Sequence, residues 1–97
     1  MILTTTNTIE GHKIQDYLGI VTGVSVNVKT SFSFKTSKNK ALYNDFINKA
    51  KEEAFQDLKT NATKLNANAI VGLTIDIENT PNGSFMVSTN GTAVQVV

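Results

Sequence analysis

Residues 41–65 read ALYNDFINKAKEEAFQDLKTNATKL, and their spacing decides the fold. At about 100° per residue, Tyr43, Ile47, Ala50, Ala54, Leu58 and Leu65 fall on one stripe of an α-helix. Alanine holds the centre of the stripe, and small residues there let a helix lie close on a sheet. Asn61 falls on the same stripe, so it requires a hydrogen-bond partner or a frayed helix end. Asn66 follows as a left-handed stop, a conformation that Asn tolerates. Phe46 and Phe55 lie off the stripe on opposite flanks, about 180° apart on the helical wheel. One helix on one sheet in one subunit cannot easily cover both, whereas neighbouring copies on both sides can.

Strand patterns flank this helix. Upstream, Leu18, Ile20, Val24, Val26 and Val28 share one parity, which predicts a strand from Tyr17 to Val28 with that face buried. The other parity carries Gly19, Val21, Gly23, Ser25 and Asn27. Its two glycines leave a bare patch, a feature that marks a bend or the close approach of another backbone. Ile2 to Thr6 suits a short first strand, and Thr8 to Asp16 a connection. The polar stretch from Lys29 to Lys40 reads as a loop, with a short extended piece around Phe32 and Phe34. Downstream, Val71, Leu73, Ile75 and Ile77 alternate with Gly72, Thr74, Asp76 and Glu78 in a strand from Ala69 to Glu78. Pro81, Asn82 and Gly83 supply a turn. The last strand, Ser84 to Val97, changes parity between Phe85/Val87 and Val94/Val96, which predicts a bulge at Asn90–Gly91.

The predicted fold is therefore α+β. It is one 97-residue domain, because a chain of this length has too little core to divide. A single long helix packs on an antiparallel sheet in the order strand, helix, strand, hairpin partner.

Composition bounds the function. The net charge is +1 and all nine basic residues are Lys. The chain thus lacks a strong field for nucleic acid or an anionic membrane, and lacks the guanidinium fork that reads phosphate and guanine. The absence of Cys removes disulfides, thiolate nucleophiles and soft metal ligands. It fits a reducing cytoplasm, the expected location. No apolar run reaches the length of a membrane span or a leader peptide.

Three groups of residues could carry chemistry. Asp76 and Glu78, two apart on a strand, point to one face and could bind a divalent metal. His12 is the one imidazole, so a metal role would need ligands gathered across subunits. The plainer alternatives are a solvent-facing or subunit-facing strand and a surface-turn histidine. Lys29, Lys35, Lys38 and Lys40 with Phe32 and Phe34 imitate a single-strand nucleic-acid platform. The near-neutral charge argues against that and leaves Phe32 and Phe34 to pack on a neighbour. Glu52 and Glu53 read as exposed helix residues. No Ser/His/Asp set, P-loop or dinucleotide signature occurs, so no enzymatic activity and no cofactor is expected.

With these elements placed, the chain resembles the YbjQ family of small bacterial proteins. The likeness is carried by Thr5-Thr6-Asn7-Thr8-Ile9-Glu10-Gly11, by Ile14 and Tyr17, and by Gly19-Ile20-Val21-Thr22-Gly23. It continues through Ala50, Ala54, Leu58 and Leu65, then Ala67-Asn68-Ala69-Ile70-Val71-Gly72 and Gly91-Thr92-Ala93-Val94. The chain departs from the family at Val24, where Glu is usual, and in a shorter middle segment without the family's Arg-Asp pair or Gly-Gly-Arg run. The resemblance implies a βαββ subunit similar in plan to dodecins, assembled into a ring-shaped homopentamer. It also implies a heavy-metal-binding label with no established activity. The expectation is a homo-oligomeric small-ligand-binding or structural module. Phe46, Phe55, Tyr17, Gly19, Gly23, Phe32 and Phe34 are the candidate interface residues.

Overall fold

Five elements follow in chain order: β1 (Ile2–Leu3), β2 (Ile14–Asn27), α1 (Ser37–Lys64), β3 (Ala69–Asn79) and β4 (Phe85–Val96). The structure, a computed structural model, describes residues 1–27, 37–79 and 85–97, without the side chains of Asn27 and residues 37–43. The strands form one sheet in the order β1-β3-β4-β2. β4 pairs antiparallel with β3, as the predicted hairpin requires, and also with β2. The sheet is nevertheless mixed rather than antiparallel throughout, because β1 runs parallel to β3 with Ile2 opposite Ala69. β2 and β3 flank β4 and run in the same direction, so the helix between them is a crossover with a strand inserted beneath it.

The helix begins four residues before the predicted start, so Lys38 and Lys40 lie in its first turn rather than in a loop. Lys is a good helix former and nothing in residues 37–40 opposes helix. Its buried stripe is Ala50, Ala54, Leu58 and Ala62, all with no exposed surface. Leu65, assigned to the same stripe, is 39% exposed. Asn66 sits at φ 63°. Around it Ala67 N donates to Ala62 O at 3.1 Å and Asn66 N to Thr63 O at 2.9 Å, a Schellman termination. Asn61 finds the partner it requires: its Nδ2 donates to Thr22 O at 2.7 Å.

β2 turns the opposite face inward from the one expected. Val21, Gly23 and Ser25 are buried under the helix, whereas Ile20, Val24 and Val26 are exposed on the far face. The cause is the closeness of the helix. A Cβ built on Gly23 would collide with Ala54 O and lie 2.6 Å from Leu58 N. Backbone meets backbone there, and only the small-residue parity of β2 fits beneath. A register shift between Tyr17 and Gly19, with Gly19 at φ 140°, lets Leu18 join the helix-side core although Ile20 does not.

The parity change in β4 also has a different origin from the predicted bulge. Phe85, Val87, Thr89, Gly91 and Ala93 are all buried, and Val94 and Val96 are buried too. Val94 and Val96 pack on the other face with Ala69, Val71, Ile9 and Ile14. At this end the sheet is covered on both sides, by the helix and by the N-terminal segment. The shifts lie in the partner strands, in β2 and between Val71 and Thr74 of β3. The far end has no such second cover among the described residues, and the molecule is elongated. Its extents are 50 × 22 × 16 Å and its radius of gyration is 16.0 Å, against about 12.5 Å for a compact chain of this length.

Candidate functional site

The helix packs chiefly over β2 and β4 and meets β3 only around Ile70 and Leu73. Uncovered helix-side surface on β3 follows. Ile75 and Ile77 face that side, in register with the buried Thr89 and Val87, yet remain 38% and 42% exposed. Where β3 passes β1, this strip becomes an open groove of about 400 Å³. Leu3, Leu73 and Phe55 form its apolar wall, with Met1, Thr4, Thr5, Glu52 and Lys59 around it. The register shift at Gly72, which has φ 61°, brings Leu73 to the helix side while Val71 serves the opposite core. Sequence reasoning missed this groove, because its residues come from three separated segments.

The opposite face carries a second apolar strip. Ile20 is 82% exposed and Val26 62%, with Val24 between them and Tyr17 at 73%. Across the sheet from these, cross-strand neighbours place Ser88 and Met86 and then Asp76 and Glu78. The two carboxylates therefore share one exposed face, as their spacing predicts. His12 is exposed, with Nδ1 3.2 Å from Val97 O at the other end of β4. Asp76 pairs with Ser88, so His12 and Asp76 are roughly 30 Å apart along the strand. One chain does not bring the three together. Among the described residues no cluster of three or more His, Cys, Asp or Glu could hold a metal.

Helix side chains also reach the edge of the sheet. β2 is an edge strand, and Asp57 Oδ2 accepts from Val24 N at 3.0 Å while Asn61 caps Thr22 O. Glu53 Oε2 accepts from Ser25 Oγ at 2.8 Å. The bonds from Asp57 and Asn61 occupy backbone groups that would otherwise template pairing with another chain. In the sequence, Glu53 and Asp57 look like ordinary surface helix residues.

The expected interface residues are divided. Tyr17 is exposed and Gly19 is accessible. Gly23 lies beneath the chain's own helix and cannot meet another copy. Phe55 is partly buried and packs on its own subunit's core cluster of Val21, Leu58, Ala62, Ile70, Leu73 and Ala93. Phe46 is 37% exposed. Phe32, Phe34, Lys29 and Lys35 lie outside the described residues.

A family model described as "Putative heavy-metal-binding" matches residues 1–97. The chain belongs to the YbjQ family. Relatives of this family include a UPF0145 protein of Bacillus cereus, 36% identical over 103 residues that cover 99% of this chain and all of the relative. Another, from Geobacillus thermodenitrificans, is 37% identical with 99% of each chain covered. A crystal structure from Pediococcus pentosaceus, a DUF74-family protein of unknown function, is similar at a TM-score of 0.72 and 25% identity. The match covers 100% of this chain and 98% of that one. The YbjQ family is uncharacterised biochemically, and its α+β plan is the one found here. No helix among the described residues is long and apolar enough to cross a membrane.

Proposed function

We propose that this chain is a subunit of a closed homo-oligomer, a ring of five in the arrangement the resemblance implies, acting as a small-ligand-binding or structural module. The observation that supports it best is the row Ile20, Val24 and Val26 facing solvent. The second strip, Ile75 and Ile77, lies on the other face and on the other side of β4. Two different apolar patches on opposite faces suit a heterologous contact, in which one patch meets the other on the next copy and the chain of contacts closes. The cysteine-free composition supports placing the module in the cytoplasm.

Multi-angle light scattering tests the assembly. The wild type is expected to elute as an oligomer, and a monomer at micromolar concentration defeats the reading. Ile20→Lys is expected to reduce the mass without unfolding the chain, since the side chain has almost no intrachain packing to lose. A variant that keeps the full mass removes the β2 strip from the interface.

A second reading is metal binding through Asp76 and Glu78, with or without His12, on several copies. It draws on the family's description and on the shared exposed face of the two carboxylates. Calorimetric titration with zinc, nickel and calcium is expected to show heat that the double variant Asp76→Asn, Glu78→Gln abolishes. Silence at millimolar metal, together with metal-free purified protein, would sink it.

A further inference from the structure

The geometry points to the groove between β1, β3 and α1 as a binding site for a small apolar monocarboxylate, with Lys59 receiving the carboxylate. The inference rests on the ligand-binding half of the proposed function.

The groove has the dimensions of a small-molecule site. Its volume of about 400 Å³ lies within the roughly 300–1,000 Å³ usual for such pockets. Its walls are fixed rather than loose. Leu73 belongs to the buried cluster with Leu58 and Ile70, and Leu3 and Phe55 pack against that cluster. The N-terminal wall is tied to β3 by Thr4 N donating to Ile70 O and Leu73 N to Thr4 O, both at 3.0 Å.

The polar groups around this apolar wall are few and unequal. Glu52 Oε1 already accepts from Gln56 Nε2 at 2.9 Å. The Thr4 hydroxyl is engaged with that of Thr6 at 2.8 Å. The ammonium of Lys59, a half-buried residue, has no ion-pair or hydrogen-bond partner among the described residues, and neither has the Thr5 hydroxyl. The groove thus offers the Lys59 ammonium and the Thr5 hydroxyl beside an aromatic and two leucines.

Charge sets the orientation. Glu52 and Lys59 are seven residues apart on the helix, about 10.5 Å along its axis. An anionic head is drawn to Lys59, where an ammonium-to-carboxylate bond is charge-assisted. It is repelled from the Glu52 end, which takes an uncharged tail. A phenyl or branched-chain body of up to about 10 Å fits that span. A base, or a dianion extending to Glu52, would be disfavoured.

The probes are 4-phenylbutyrate, its neutral amide and the corresponding amine, read by methyl-resolved NMR on the full chain. The acid is expected to shift the methyl signals of Leu3 and Leu73 while those of Ile20, Val24 and Val26 stay still. It should bind about tenfold more tightly than the amide, the ratio that one charge-assisted bond supplies. Lys59→Gln should erase that ratio while leaving the folded spectrum unchanged, and Lys59→Arg should retain most of it. Equal affinity for acid and amide, shifts confined to the Ile20 strip, or no shift at millimolar acid would each overturn the proposal. So would an assembly in which the groove methyls are shielded from a soluble paramagnetic probe, which would make the groove an interface between copies. Light scattering on the same sample separates the two ideas. A monomer that binds the acid refutes the ring and keeps the site, and a ring that ignores the acid does the reverse.

Discussion

Gly23→Ala is expected to destabilise the fold by about 3 kcal/mol, at the upper end of what one inserted methyl costs a packed core. The added carbon would collide with Ala54 O and fall 2.6 Å from Leu58 N and 2.8 Å from Leu58 Cβ. Two of these three atoms are helix backbone, so no side-chain rotation relieves the clash. The helix must lift off β2. That movement would loosen the Ala50–Ala54–Leu58–Ala62 stripe and lengthen the bonds from Asp57 and Asn61 to the β2 edge. Gly11→Ala is the matching control. Gly11 has φ 81° and open space around its Cβ position, so the cost there is only that of a left-handed backbone, about 1 kcal/mol. Urea denaturation of the two variants distinguishes close packing from backbone strain. Equal midpoints would show that the helix does not ride on Gly23.

Leu58→Ala is expected to cost about 3 kcal/mol. Leu58 is fully buried where the helix meets Val21, Ile70, Leu73 and Ala93. Its neighbours on the stripe are alanines, which have no side chain able to swing into the space left behind. The cavity therefore persists, and the cavity term adds to the lost transfer energy. Leu65→Ala, on the same predicted stripe but 39% exposed, should change stability by well under half as much. Thermal or urea unfolding checks the pair, and a similar loss at both positions would contradict the packing described above.

The same positions show where sequence reading succeeds. Period and punctuation are local properties, and they carried the helix, its Asn66 stop, the pairing of β3 with β4 and the common face of Asp76 and Glu78. The demand of Asn61 for a partner was also legible, because a polar group on an inward stripe must bond to something. Thr22 O could not be named from the sequence, since it lies 39 residues away.

The candidate groove was less legible. Phe55 stood out by its position off the stripe, but the groove needs Leu3 and Leu73 beside it. Those three residues meet only because β1 pairs parallel with β3 and because β3 shifts register before Thr74. Lys59 looks like any exposed helix lysine until its ammonium is seen to have no partner among the described residues at the rim of an apolar wall.

By itself, then, the sequence determined the element order, the α+β class and the family, all of which depend on residue spacing along the chain. Tertiary structure alone decided which face of β2 is inside, and the outcome reversed the count of apolar residues. Ile20, Val24 and Val26 carry more hydrophobic surface than Val21, Gly23 and Ser25, yet they face outward. The helix stripe of alanines approaches the sheet until backbone touches backbone, and at that distance volume outweighs hydrophobicity. The small face of β2 is the one that fits under the helix of residues 37–64, and the large face is left for whatever packs against it.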